Sequence, residues 1–303
     1  MPFLPRAQFA WKLRSQSLGL GARTRVVGVV NVTSDSFSDG GRFASPSAAI
    51  EGALEMFDQG AAIVDLGAES TRPGTREPVS AAQEIERLLP VIEGVRSHRP
   101  QAILSIDTYK AATAAVSLEA GAEIVNDVSG LRWDAGMAEV CAASGCGLVL
   151  MHTRGRPEEW RTLPRLAQGE EMALVQRELG QQLRVALGAG VSREHIVLDP
   201  GLGFGKAFES NYPLLAELEG LRALGQPLLV GASRKSFLAR TLAPLFGGAD
   251  APIDARGNAS LAAATAAILA GAELVRAHDV RPTIEAAAIA DAILAAAEQA
   301  FLR

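Results

Sequence analysis

"GAAIVDLG" (residues 60–67), "GAEIVNDV" (121–128) and "GAELVRAHDV" (271–280) are one device written three times. Each has a glycine that ends a helix, a short apolar β-branched strand, and polar residues where the strand stops. Three further strands follow the same rule: "RVVGVVN" ending at Asn31, "AILSID" at Asp107 and "HIVLD" at Asp199. Two weaker ones, "GLVLMH" to His152 and "PLLVGAS" to Ser233, complete a set of eight. Between them lie helix-period segments at 47–59, 80–97, 110–120, 134–144, 168–189, 209–223, 258–270 and 282–299. Ser80 with Glu84 nearby, Asp134, and Pro282 in a first turn read as helix starts.

Apolar strands that alternate with helices imply a parallel sheet covered on both faces, and eight repeats imply closure. The expected fold is α/β, a single (β/α)8 barrel over residues 25–303, with residues 1–24 as an N-terminal extension. An open doubly wound sheet is the alternative. In a barrel the carboxyl ends of all strands open on one face, where active sites of this fold are built.

The formal charge of −5, from 29 basic and 34 acidic residues, offers no cationic field for nucleic acid, so any phosphate binding must be local. Cys141 and Cys146 are the only cysteines, and their offset fits neither a zinc spacing nor a disulfide scaffold; both read as buried hydrophobes. Arg6, Lys12 and Arg14 interrupt the apolar residues of the first two dozen, and the uncharged run 257–272 is shorter than the roughly 18 apolar residues of a membrane span. A cytoplasmic protein that does not engage membranes is expected.

The strand ends supply Asn31, Asp107, Asn126, Asp199, Arg276 and His278, and the loops add Thr71, Arg72, Lys235 and Ser236. Arg276 and His278 are two apart, so in extended backbone both side chains point the same way and present N–H donors to an anion. A single Asp or Asn after a strand is often a turn residue or cap. Three of them at equivalent positions on one barrel face suit a flat heterocycle whose amide and amino edge can be matched pair by pair. Without a cysteine nucleophile or a cluster of three metal ligands, the chemistry suggested is group transfer between small molecules, driven by binding and electrostatics.

Arg72, between Thr71 and Pro73 in "ESTRPGT", brings a guanidinium and a hydroxyl to a stiffened site suited to phosphate. "ASRKSF" places Lys235 and Ser236 where a strand gives way to a helix, whose free N–H groups attract carboxylate or phosphate. "PGLGFGK" (200–206) is not a phosphate-binding P-loop, because Ala207 follows Lys206 where Ser or Thr is required. Its glycines beside Phe204 fit a wall against a flat ligand.

Taken together, "VVGVVNVTSDSFSDGG", "ESTRPG", "SIDTYK", "IVNDVSG", "DPGLGFGK", "GASRKSF" and "VRAHDV", in that order over residues 26–280, resemble the dihydropteroate synthases, folate-pathway transferases that sulfonamides inhibit. The resemblance implies a barrel that joins 6-hydroxymethyl-7,8-dihydropterin pyrophosphate to p-aminobenzoate and releases pyrophosphate. It implies that Asp107, Asn126, Asp199 and Lys235 hold the pterin, and that Phe204, Lys235 and Ser236 border the p-aminobenzoate pocket. Asn31 would meet a Mg²⁺-bound pyrophosphate, gripped by Arg276 and His278 and covered by Thr71 and Arg72. A homodimer through the last helices is implied as well. Three departures stand out: Ser34 where the family has proline, Ala68 where it often has glycine, and an atypical "MHTRGRPEEW" after the fifth strand. The intact phosphate-facing set argues against a non-catalytic pterin-binding paralogue and against a pterin-dependent methyltransferase, which needs no pyrophosphate grip.

Overall fold

The structure, a computed structural model, describes residues 6–32, 43, 45–69, 79–167 and 169–301. It opens on an antiparallel hairpin, β1 (Phe9–Lys12) and β2 (Ser17–Leu20), followed by β3 (Arg25–Asn31), α1 (Pro46–Asp58), β4 (Ile63–Gly67) and α2 (Ala81–His98). Next come β5 (Leu104–Asp107), α3 (Ala111–Glu119), β6 (Ile124–Asp127), α4 (Met137–Ser144), β7 (Gly147–Met151) and α5 (Glu171–Gly188). The last part holds β8 (Ile196–Asp199), α6 (Asn211–Ala216), β9 (Leu229–Val230), α7 (Ser236–Leu242), α8 (Gly257–Leu269), β10 (Leu274–Ala277) and α9 (Val280–Phe301).

Strands β3 to β10 form one parallel sheet in the order β8-β7-β6-β5-β4-β3-β10-β9, and a parallel bridge between Leu198 and Leu228 joins its two edges. Leu198 N–H donating to the Pro227 carbonyl reinforces that closure. The expected eight-stranded barrel is therefore the observed fold.

Four helix-to-strand turns are built alike. Gly60, Gly121, Gly190 and Gly271 have φ of +104°, +110°, +98° and +108°, a left-handed conformation that a side chain would strain. Each glycine N–H donates to the carbonyl three residues back, and the next residue's N–H to the one five back. These bonds satisfy carbonyls at the helix end and aim the chain into the next strand. The repeated "GA" of the sequence marks three of the four.

The helix starts are mixed. Ser80 forms a capping box with Gln83, and Ser45 caps α1 with Pro46 in its first turn. Asp134 opens the turn into α4 as expected, its Oδ1 accepting from Gly136 N–H at 2.9 Å, while its Oδ2 accepts from Ala111 N–H at 2.8 Å and caps the first turn of α3 from across the fold. The expected helix 209–223 is broken into α6 and a 3-10 segment, Leu218–Leu224, and α7 is an additional short helix after β9. Cys141 and Cys146 are buried and unpaired, as expected. Among the described residues no helix is long and apolar enough to cross a membrane.

The alternation of strand side chains divides the core. Val64, Leu66, Leu104, Ile106, Val125, Leu148, Leu150, Ile196, Leu198 and Val275 face outward into the layer shared with the helices. Val27, Ile63, Ile103, Ile124, Val149, Val197, Leu229 and Leu274, one from each strand or its start, meet inside the barrel near its amino end. Trp11, Leu13 and Leu20 of the hairpin pack onto that inner layer and close the bottom. Trp11 is 1 % exposed, and its indole N–H donates to the His195 carbonyl at 2.8 Å. The hairpin turn is tied down by Glu123, which accepts from Ser15 N–H at 2.8 Å.

Candidate active site

Two residues beyond the apolar layer the same inward parity reaches Val29, Asp65, Ser105, Asn126, Met151, Asp199 and Arg276, and two further on the rim residues Asn31, Gly67 and Asp107. The inside of the barrel thus changes from hydrocarbon to polar over one side-chain layer, and the polar layer is the floor of its open end.

Arg276 crosses the barrel from β10. Its Nε donates to Asp65 Oδ2 at 2.7 Å and its Nη2 to Asp107 Oδ2 at 2.8 Å. Asn126 Nδ2 donates to the same Asp65 oxygen at 3.0 Å, so an arginine, an amide and two carboxylates form one network. Among the described residues these two bonds use two of the five guanidinium donor positions, and the remaining N–H groups can serve a ligand.

Asp107 keeps 18 % of its side chain exposed but is otherwise enclosed, and burial pushes its carboxyl up to about 7. Arg276 pulls it down, while Asp65, Glu84 and Asp127 push it up. Asp199 lies opposite, 4 % exposed, accepting from Gly201 N–H at 2.6 Å; burial raises it too, against the pull of Lys235. Burial lowers Lys235 to about 8, opposed by Asp199. The Lys235 ammonium donates to the Leu202 carbonyl and stands 4.7 Å from the centre of the Phe204 ring, a cation–π contact. Lys235 is the N-cap residue of α7 and Ser236 its first residue.

Lys206, which the sequence reading leaves without a role, is buried and donates to the carbonyls of Gly201 at 2.7 Å, Phe204 at 3.2 Å and His152 at 3.3 Å. It staples the glycine loop to the end of β7 and thereby sets Phe204 against Lys235. The loop leaves no room: Gly201 has φ +64°, and a Cβ there would lie 1.8 Å from the His152 carbonyl oxygen. Gly201→Ala will therefore displace the loop, lowering stability by more than ~1 kcal/mol and weakening ligand binding, as measured by thermal unfolding and titration. An alanine variant with unchanged melting temperature and affinity contradicts this reading of the loop.

The remaining expected residues fall as follows. His278 follows β10, and its backbone N–H donates to Ser233 Oγ at 3.2 Å, with Nδ1 3.0 Å from the same oxygen. Arg234, φ +57°, forms a two-bond pair with Asp279 at 2.6 and 3.3 Å, tying the loop before α7 to the end of β10. Asn31 sits at the rim beside Gly67, its partner in the β3–β4 register. Thr71, Arg72 and Ser34 lie outside the described residues. His152 is a support of the wall. It is fully buried, lowered to about 3 by burial and therefore neutral, with Nε2 3.1 Å from Glu178 of α5.

Among the described residues no group of three His, Cys, Asp or Glu is arranged to hold a metal. One protein oxygen is nevertheless enough for a magnesium ion that arrives on phosphate oxygens and keeps its waters. A Cβ on Gly67 would lie 3.6 Å from Asn31 Oδ1 and 3.5 Å from Asp107 Cβ, so a side chain there would fill the cradle between the amide and the carboxylate, and the oxygen donors around it fit such an ion.

A parallel barrel with amide, carboxylate and buried cation side chains at its open end defines a small-molecule group-transfer enzyme. The family described as "Pterin binding enzyme" matches residues 27–278. Dihydropteroate synthase of Mycobacterium leprae is 43 % identical over 279 residues, 92 % of this chain and 96 % of that protein. The crystal structure of Yersinia pestis dihydropteroate synthase with a sulfonamide drug complex superposes with a TM-score of 0.86 at 37 % identity, covering 96 % of this chain and 100 % of that one. That of the Burkholderia cenocepacia enzyme complexed with 7,8-dihydropteroate gives 0.81 at 35 % identity, covering 97 % and 99 %. The chain belongs to the pterin binding enzymes, in their dihydropteroate synthase branch.

Proposed function

We propose that this chain is a transferase that condenses 6-hydroxymethyl-7,8-dihydropterin pyrophosphate with p-aminobenzoate to give 7,8-dihydropteroate and pyrophosphate. The observation that carries the reading is the inner polar layer, where Arg276 bonds Asp107 and shares one Asp65 oxygen with Asn126. A heterocycle matched to the amide and carboxylates would therefore hold its anionic substituent beside the guanidinium.

In this reading Asp107, Asn126, Asp199 and Lys235 bind the pterin edge, and Phe204, Lys235 and Ser236 border the p-aminobenzoate. Arg276 and His278, with Thr71 and Arg72, face the pyrophosphate. The methylene C–O bond breaks with its electron pair going to pyrophosphate, and the cationic N–H donors of Arg276 stabilise that charge most when it is fully developed. The methylene carbon left behind shares its positive charge with the pterin ring. The neutral amine of p-aminobenzoate then forms the C–N bond and gives up its proton, a step that needs no strong base. Asn31 would hold a magnesium ion on the pyrophosphate, and the ion would add positive charge at the leaving group. Work in the cytoplasm and a homodimer through the last helices belong to the same reading; Ile289 and Ile293 of α9, 65 % and 39 % exposed, support a covered face there.

The two shifted groups give the reaction a pH signature. Asp107 must be ionised to accept from the pterin edge, so kcat/KM rises through about 7. Lys235 must be charged, so it falls again through about 8. The bell reports the free enzyme. Asp107→Asn should flatten the acid limb and Lys235→Met the basic limb, both at lower plateaus; limbs unchanged by these substitutions would assign them to other groups. The function itself is tested by incubating the purified chain with both substrates and Mg²⁺ and identifying the product by mass. Dihydropteroate formation is expected, and binding of the pterin pyrophosphate without product would support a non-catalytic paralogue instead.

A further inference from the structure

Asp65 stands inside β4, two residues below the rim residue Gly67, with 1 % of its area exposed. A buried carboxylate is an expensive choice where a packed apolar residue would serve stability as well. What Asp65 does there is specific. One oxygen, Oδ2, receives both Arg276 Nε and Asn126 Nδ2. The other, Oδ1, has no hydrogen-bond partner among the described residues, and Asp65 lines a small interior cavity together with Ser105, Asn126 and Arg276 above Trp11.

The two bonds constrain different things. Holding Nε sets the plane of the guanidinium, so the N–H groups left over present a fixed fork. Taking a proton of Nδ2 settles which end of the Asn126 amide turns toward the floor, leaving the carbonyl oxygen and the second amide proton for a ligand. Because both bonds end on the same oxygen, neither side chain can move without altering the other's partner.

We propose that Asp65 is a positioning residue that sets the pterin-edge amide and the pyrophosphate-facing guanidinium in one register and couples binding in the two half-sites. The inference rests on the functional reading above, in which Asn126 meets the pterin and Arg276 the pyrophosphate. Coupling through a shared network is reciprocal, so occupation of either half-site tightens the other by the same factor.

The test separates the half-sites with two probes, inorganic pyrophosphate with Mg²⁺ and 6-hydroxymethylpterin without its pyrophosphate, titrated calorimetrically into the full chain. Asn126→Ala should weaken chiefly the pterin probe and Arg276→Ala chiefly the pyrophosphate. Asp65→Asn, of equal size, should weaken both at least tenfold while its circular dichroism matches the unsubstituted chain. A merely structural role would lower the melting temperature without moving both affinities. A folded Asp65→Asn chain that binds either probe within twofold of the unsubstituted protein overturns the proposal. Should that variant not fold, Asp107→Ala decides: it removes the other carboxylate on Arg276, so pyrophosphate should still tighten the pterin probe at least threefold through Asp65, and loss of that coupling overturns the proposal. Failure of the synthase reading looks different, because the unsubstituted chain would then form no dihydropteroate from the two substrates and Mg²⁺, whichever probes it binds.

Discussion

Replacing Arg276 with alanine will lower turnover about a hundredfold, the loss expected when one preorganised donor worth roughly 3 kcal/mol at a developing negative charge is removed. The pairing of Arg276 with Asp65 and Asp107 sharpens the expectation. Without the guanidinium two enclosed carboxylates face each other with no cation between them. Breaking a buried pair in this way costs about 3 kcal/mol or more of stability. Asp107 already sits at about 7 with Arg276 present, so its carboxyl will rise further and hold its proton at neutral pH. The acid limb of the kcat/KM profile should therefore move to higher pH in the alanine variant, a shift that loss of folded protein alone cannot produce. Arg276→Lys should recover little, since one ammonium cannot bond two carboxylates and still present a fork. A near-normal rate for Arg276→Ala would remove this residue from the mechanism.

The second large effect lies at the opposite end of the barrel. Trp11→Ala will cost about 3–5 kcal/mol, because it deletes a fully buried indole from the inner apolar layer and strips the His195 carbonyl of its donor. At about 2–4 °C per kcal/mol the melting temperature should fall on the order of 10 °C. The inner layer on which Trp11 packs supports the polar floor two residues above it on each strand, so substrate affinity should also weaken at temperatures where the variant remains folded. A melting temperature within ~2 °C of the unsubstituted chain would mean that the hairpin is an appendage and that the barrel closes its own base.

What was legible in the sequence followed from repetition. Eight strands shared one pattern, most of them running into a polar residue, and the fold and Asp107, Asn126, Asp199 and Arg276 could be read from that rule. Asp65 escaped because it does not end its strand. In "IVDLG" it is the middle residue, and only its parity with the inward-facing Ile63 places it on the axis, a relation that requires knowing which face is inside. Lys206 escaped for a different reason: its three acceptors are backbone carbonyls at 152, 201 and 204, which no side-chain motif records. Asp134 does open the turn into α4, its Oδ1 accepting from Gly136 N–H, but the bond from its Oδ2 to Ala111 N–H, 23 positions upstream, is one that a local pattern cannot record. The break after α6 falls at Glu217, just before a 3-10 segment that contains Gly220, a poor helix former that apolar periodicity does not register. The hairpin's "FAWK" and "SLGL" are too short to announce strands, and their place beneath the barrel depends on contacts such as Trp11 with His195, 184 positions apart.

The measurement that bears most directly on the central claim is the rate of pyrophosphate release from 6-hydroxymethyl-7,8-dihydropterin pyrophosphate with Mg²⁺, with and without p-aminobenzoate, on the purified chain and on Arg276→Ala. The account predicts release in step with dihydropteroate formation when both substrates are present, and its collapse in the variant. Tight pterin binding with no release, or release that Arg276→Ala leaves untouched, would contradict it.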